Sequence, residues 1–226
     1  MAAGKLILVP TPIGNLEDIT LRAIRVLREA DAVIAEDTRV SGRLLQHLGI
    51  QRPLIPFHAH NEHRVLTGIM DRLAQGAKLA LVSDAGTPGI SDPGFLLVRA
   101  CVQQGIPLET LPGPTAFVPA LVNSGLPCDR FVFEGFLPVK KGRRTRLEEL
   151  KAEQRTMVFY ESPHRIVRTL RELVEVLGPE RPAAISRELT KLHEEVIQRP
   201  LGSLLQHFST NEPRGEFVLV VGGLNS

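Results

Sequence analysis

Ser83-Asp84-Ala85-Gly86-Thr87-Pro88-Gly89-Ile90-Ser91-Asp92-Pro93-Gly94 is the stretch on which the fold turns. An apolar run, Leu79-Ala80-Leu81-Val82, precedes it and reads as a buried strand; residues 95–102 follow and read as a helix. The glycines and prolines make the connection stiff and small, so backbone rather than bulky side chains faces outward. Open α/β sheets bind ligands at loops like this, beyond the carboxyl ends of strands. A tight turn with no ligand is the plainer alternative. A second loop of the same kind shifts the balance: Leu111-Pro112-Gly113-Pro114-Thr115-Ala116 leaves the strand-like segment 106–111 and opens a helix. Two such loops after neighbouring strands imply one shared crevice.

Working outward, Lys5-Leu6-Ile7-Leu8-Val9 reads as a strand covered on both faces. It delivers a third rigid loop, Pro10-Thr11-Pro12-Ile13-Gly14-Asn15-Leu16. Asp18 or Thr20 is placed to cap the next helix, with Leu21, Ile24 and Leu27 as its apolar stripe. Asp31-Ala32-Val33-Ile34-Ala35 is the next strand and runs into Glu36-Asp37-Thr38-Arg39; Leu44, Leu45 and Leu48 mark a helix ending near Gly49. The prolines of Pro53-Leu54-Ile55-Pro56-Phe57 suit a sheet edge. That piece leads to His58-Ala59-His60-Asn61-Glu62-His63-Arg64 and a helix carrying Val65, Leu66, Ile69, Met70 and Leu73. Strand and helix alternate throughout, which predicts an α/β fold.

The pattern breaks around Asn123-Ser124-Gly125-Leu126-Pro127, and a boundary there divides the chain into domains 1–124 and 125–226. The second half reads as strands at 131–137 and 156–160. Ser162 is then an N-cap with Pro163 at the first helical position, ahead of a stripe of Ile166, Leu170, Leu173 and Leu177. Segments 183–185, 194–197 and 217–221 complete a second sheet, with a short helix at 201–208.

With 226 residues, 43% apolar and 23% charged, the composition is that of a globular chain with a proper core. A net charge of +2 neither requires nor forbids a nucleic-acid partner. Cys101 and Cys128 lack metal-ligand spacing and suit a reducing compartment without a disulfide framework. Met1-Ala2-Ala3-Gly4-Lys5 carries no signal-peptide pattern, and no apolar run reaches membrane length, so a cytoplasmic protein is expected. There is no G-x-G-x-x-G, no nucleotide P-loop, no G-x-S-x-G elbow and no zinc-type spacing. What remains suits a reaction in which an already activated cofactor needs only to be positioned.

The three rigid loops, together with Glu36-Asp37-Thr38-Arg39, Phe159-Tyr160-Glu161-Ser162-Pro163-His164-Arg165 and Ser186-Arg187-Glu188-Leu189-Thr190-Lys191, resemble the ribosomal RNA small-subunit methyltransferase I family of the tetrapyrrole methylase superfamily. The matches run in order over nearly the whole chain. The resemblance implies two α/β domains, each a mixed or parallel sheet with flanking helices, and S-adenosylmethionine in a cleft between them. It also implies a homodimer and methyl transfer to the ribose 2′-oxygen of a decoding-centre cytidine in 16S rRNA of the small ribosomal subunit. Many relatives continue past the point where this chain stops, near Gly222-Gly223-Leu224-Asn225-Ser226, so any RNA grip from that region is expected to come from elsewhere.

Carried onto this sequence, the family's cofactor contacts fall on Pro10, Asp84, Gly86, Ile90, Thr115, Ala116, Tyr160, Leu189 and Gly215. Asp84 either bonds the cofactor or braces its own loop. A ribose hydroxyl needs a base or a polarising charge nearby. Asp37, Arg39, His60, Glu161 and Arg187 are expected to line the acceptor side, with Glu62 and Glu188 as further rim candidates. A local ion pair or helix cap is the plainer role for Asp37 and Arg39. His58, His60 and His63 are too loosely spaced to imply a metal, and none is expected. Lys140, Lys141, Arg143, Arg144 and Arg146 either neutralise RNA phosphates or form a solvated helix start. The rival readings are a tetrapyrrole or protein methyltransferase of the same fold, and a non-catalytic S-adenosylmethionine-binding module.

Overall fold

The computed structural model describes residues 4–224. Residues 1–3, on which the reading of the N-terminus partly rests, and 225–226 lie outside the described residues. The chain forms two compact units, Met1–Thr115 and Ala116–Ser226. The division falls ahead of the expected 124/125 boundary because α5 (Phe117–Asn123) packs on strands of the second unit. The glycine- and proline-rich break after it is a turn within that unit.

In the first unit, β1 (Lys5–Leu8), β2 (Ala32–Ala35), β3 (Leu54–Pro56), β4 (Lys78–Val82) and β5 (Leu108–Thr110) form a five-stranded sheet in the order β3-β2-β4-β1-β5. Every pairing is parallel. The connecting helices are α1 (Leu21–Glu29), α2 (Thr38–His47), α3 (Glu62–Ala74) and α4 (Phe95–Gln103). Successive strand residues point to opposite faces. Ile7, Val33 and Ala80 therefore meet Val26, Leu27 and Leu45 on the α1/α2 face, while Leu6, Ile34 and Leu79 meet Met70, Leu73 and Leu97 on the α3/α4 face. Burial on both sides explains the unbroken apolar runs. The proline-flanked β3 sits at an edge, as expected.

Two local readings are corrected. β4 and β5 are not neighbours, because β1 lies between them. Leu21 points to solvent at 85% exposure; Ala23, Val26 and Leu27 form the inner stripe of α1 instead. Thr20, not Asp18, is the cap, its side chain accepting from the Ala23 amide at 3.0 Å.

The second unit holds β6 (Phe131–Phe136), α6 (Arg143–Leu150), β7 (Thr156–Glu161), α7 (Ile166–Leu177), β8 (Ala183–Arg187), β9 (Glu195–Gln198), α8 (Leu201–Thr210) and β10 (Phe217–Val221). The sheet order is β6-β7-β10-β8-β9, with β6 parallel to β7 and the remaining pairings antiparallel. Met157, Phe159, Leu170, Leu173, Leu204 and Leu219 lie in its core. Ser162 does not cap α7 with its side chain. Its carbonyl accepts from the Arg165 and Ile166 amides in a preceding turn, and the helix starts only at Ile166.

Candidate active site

At the carboxyl edge of the first sheet the three rigid loops are knitted together. Thr11 and Gly86 exchange backbone hydrogen bonds of 2.9 Å in an isolated bridge, and the Thr11 hydroxyl donates to the Ser83 carbonyl at 3.1 Å. The Thr87 hydroxyl donates to the Pro114 carbonyl at 3.1 Å. A Cβ on Gly113 would lie 2.7 Å from Cβ of Pro10, so only glycine permits that approach. The three loops thus converge at one edge although the strands they leave are not all adjacent. Pro10 and Gly86 are buried within it, Asp84 is exposed, and Ile90 is half-buried. Thr115, just ahead of the α5 cap residue Ala116, has a buried hydroxyl oxygen with no partner.

Carboxylates crowd the ends of the adjacent strands β2 and β4. Asp84 Oδ1 accepts from the Asp37 amide at 3.0 Å, so Asp84 braces a neighbouring loop. Asp37 caps α2 through the Arg39 amide at 2.8 Å and forks to the Arg39 guanidinium, with contacts of 2.6–3.2 Å. That hydrogen-bonded guanidinium holds the Asp37 carboxyl well below the usual range. Burial first, then the neighbouring Glu36 and Asp84 charges, push Asp92 up to about 6; burial and Asp84 also raise Glu36. Glu36 and Asp92 both sit in the motif stretches, yet sequence reasoning does not single them out. Glu36 directly follows the apolar strand β2, which is a usable signal for it; Asp92 lies ten residues beyond the end of β4, and no local pattern marks it. His60 is exposed, its ring 6.0 Å from that of His58.

In the second unit Glu161 is only 3% exposed. Its carboxylate takes the Ser162 amide at 2.8 Å, the Arg165 guanidinium at 2.8 and 3.2 Å, and the Thr169 hydroxyl at 2.6 Å. Glu161, expected on the acceptor side, is thus closed over within its own unit, where it holds the turn into α7. Arg187 pairs with Glu195 across β8 and β9 at 3.1 Å. Tyr160 lies against Phe133 and Phe136, with ring centroids 5.1 and 5.6 Å away.

Leu189 is buried between Glu188 and Thr190, which hold positive φ values of 51° and 66°. An ionic clamp over-determines that strained backbone. Glu188 Oε1 accepts from the Glu216 amide at 2.9 Å and from Lys191 at 2.8 Å, and Lys191 also reaches Glu216 at 2.9 Å. Gly215 sits so close that an added Cβ would lie 2.5 Å from Glu188 Cγ. The Ser186 and Thr190 hydroxyls are buried without partners. Orphaned hydroxyls beside strained, clamped backbone fit a polar ligand such as the expected cofactor.

The basic run divides. Arg143 is 4% exposed, bonded to Glu172 at 2.7 Å, Thr169 at 2.7 Å and the Pro138 carbonyl at 3.1 Å, so it is removed from the RNA-contacting set. Arg146 is committed to Glu134 and Glu149. Lys140, Lys141 and Arg144 are exposed. Among the described residues, no group of three or more His, Cys, Asp or Glu side chains is placed to hold a metal ion, and no helix is long and apolar enough to cross a membrane.

Residues 5–205 match the family described as Tetrapyrrole (Corrin/Porphyrin) Methylases. Proteins named ribosomal RNA small subunit methyltransferase I are similar over nearly the whole chain. The one from Escherichia coli O157:H7 is 51% identical over 223 residues, covering 97% of this chain and 78% of that protein. The one from Thermotoga maritima is 47% identical over 220 residues, covering 97% and 99%. A solved uroporphyrin-III C-methyltransferase from Thermus thermophilus, complexed with S-adenosylhomocysteine, superposes with a TM-score of 0.67 at 21% identity, over 98% of this chain and 99% of that one; at that identity it speaks for the fold alone.

Proposed function

The chain belongs to the ribosomal RNA small-subunit methyltransferase I family of the tetrapyrrole methylases, and from that premise we propose that it methylates 16S rRNA of the small ribosomal subunit. The finer reading is transfer from S-adenosylmethionine to the ribose 2′-oxygen of a decoding-centre cytidine, by a cytoplasmic homodimer. One observation supports methylation of small-subunit rRNA: about half of the residues are identical to rRNA methyltransferases along 97% of the chain, not merely at the loops. The family's description favours a second reading, methylation of a tetrapyrrole.

When bound, S-adenosylmethionine supplies a methyl group already activated on a sulfonium sulfur. The chain's own work is then alignment and exclusion of water. Pro10, Asp84, Gly86, Ile90, Thr115 and Ala116 in the first unit, and Tyr160, Leu189 and Gly215 in the second, are the proposed cofactor contacts. The orphaned Thr115, Ser186 and Thr190 hydroxyls support this set. Negative charge at Glu36, Asp37, Asp84 and Asp92 suits a cationic ligand. The ribose hydroxyl must lose its proton, and we assign Asp37, Arg39, His60 and Arg187 to its side. Lys140, Lys141 and Arg144 neutralise phosphates.

The test incubates the chain with methyl-labelled S-adenosylmethionine, a porphyrin precursor, and small subunits from cells lacking the modification. Label in RNA is the expected result. Label in the precursor favours the tetrapyrrole reading, label in a ribosomal protein a protein methyltransferase, and no label a binding module.

A further inference from the structure

Within the first unit a cavity of 270 Å³ lies between the β1 loop and α2. Its apolar walls are Pro12 and Leu16 on one side and Val40 and Leu44 on the other. Ser41 also lines it; it is 2% exposed, and its hydroxyl has no hydrogen-bond partner. A serine on a helix ordinarily bonds back to a carbonyl one turn earlier or points to water. A buried hydroxyl that does neither, on the wall of a cavity, is held ready for something that enters. Asp84 lines the same space, fixed by its bond to the Asp37 amide, and an ionised carboxylate has acceptor sites to spare. His47 and Arg43 add donors.

The volume is on the order of nine waters, enough for a single heterocycle. Apolar walls suit the faces of a flat ring, and the polar atoms suit its edge. A carboxylate accepts from an exocyclic amine, while the hydroxyl and the Arg43 guanidinium donate to ring nitrogen and carbonyl acceptors. Cytosine offers that pattern. Uracil turns a carbonyl toward Asp84 in place of the amine, and two acceptors face each other.

We propose that this cavity receives the unstacked base of the target nucleotide and reads it as cytosine through Asp84 and Ser41. The inference rests on the rRNA-methyltransferase reading and deepens it by assigning base discrimination to a subsite of the first unit.

The test uses the full chain with Ser41→Ala and Asp84→Asn. S-adenosylhomocysteine affinity is measured by calorimetry. The kcat/KM for methyl transfer is measured on reconstituted small subunits carrying cytidine or uridine at the target position. Ser41→Ala is expected to bind S-adenosylhomocysteine like the parent and to lose about tenfold in kcat/KM. Asp84→Asn keeps an oxygen for the Asp37 amide and offers an N–H to uracil, so it is expected to narrow the cytidine preference by about tenfold. If both variants keep the parent's kcat/KM and preference, the base-reading inference is overturned while the function stands. If Asp84→Asn fails to fold, Ser41→Ala decides alone. If the parent chain labels no RNA at all, the function itself fails and the inference falls with it.

Discussion

Asp92 is held against its own charge. Its carboxyl titrates near 3.8 when unfolded and is pushed to about 6 in the folded chain, by burial and then by the Glu36 charge. Between those values the folded state binds more protons than the unfolded state, so this residue's contribution to stability falls as pH rises from about 4 to about 6 and stays low above. Asp92→Asn removes the penalty. The shift of about two units, at about 1.4 kcal/mol each and discounted for solvent screening, predicts a gain on the order of 1–2 kcal/mol. Urea denaturation should show that gain near pH 7 and its disappearance near pH 4; an equal difference at both would contradict the assignment. Glu161 carries the opposite expectation. Glu161→Ala strands Arg165 and the Thr169 hydroxyl and should cost about 3 kcal/mol of stability, with Glu161→Gln costing less because it keeps hydrogen-bonding atoms in place. Sequence reasoning puts Glu161 on the acceptor side because its motif matches. Nothing in the sequence shows that a strand-end carboxylate is closed over by Thr169, eight residues later. Asp37 is more legible, since an acid just ahead of a helix is a cap on local grounds alone.

At the level of elements, the strands and helices follow from apolar runs and stripes, because both are local patterns. The strand order does not, since β4-β1-β5 adjacency depends on crossovers that no local pattern records. The error at Leu21 has a similar origin: i, i+3 spacing fits more than one face, and tertiary packing selects the face with Ala23 and Val26. The convergence of the three loops is nonetheless readable from composition, and Gly113 shows why. Gly113→Ala would force apart the β1 and β5 loops at Pro10, so a loss of about 1–3 kcal/mol is expected. S-adenosylhomocysteine affinity should fall alongside it. Melting temperature and calorimetry check the pair; unchanged affinity in a folded variant would detach this loop from cofactor binding.

For the whole molecule, small net charge means that RNA attraction has to be local. Lys140, Lys141 and Arg144 are exposed, whereas Arg143 is part of the interior of the second unit. Replacing the three exposed residues by alanine is expected to weaken small-subunit binding. The slope of log affinity against log salt should fall by roughly one for each phosphate that is no longer neutralised. Arg143→Ala should lower the melting temperature instead, because Glu172 is left beside a cavity. An unchanged salt slope in the triple variant would remove this patch from the interface. Charge runs are visible in sequence, but which members turn inward is decided by helix phase and neighbouring acids. We propose that this chain methylates a ribose oxygen of small-subunit RNA. Digestion of methyl-labelled subunits to nucleosides, followed by mass spectrometry, tests it most directly: label in 2′-O-methylcytidine is predicted, and label on a base, on a protein, or nowhere would contradict it.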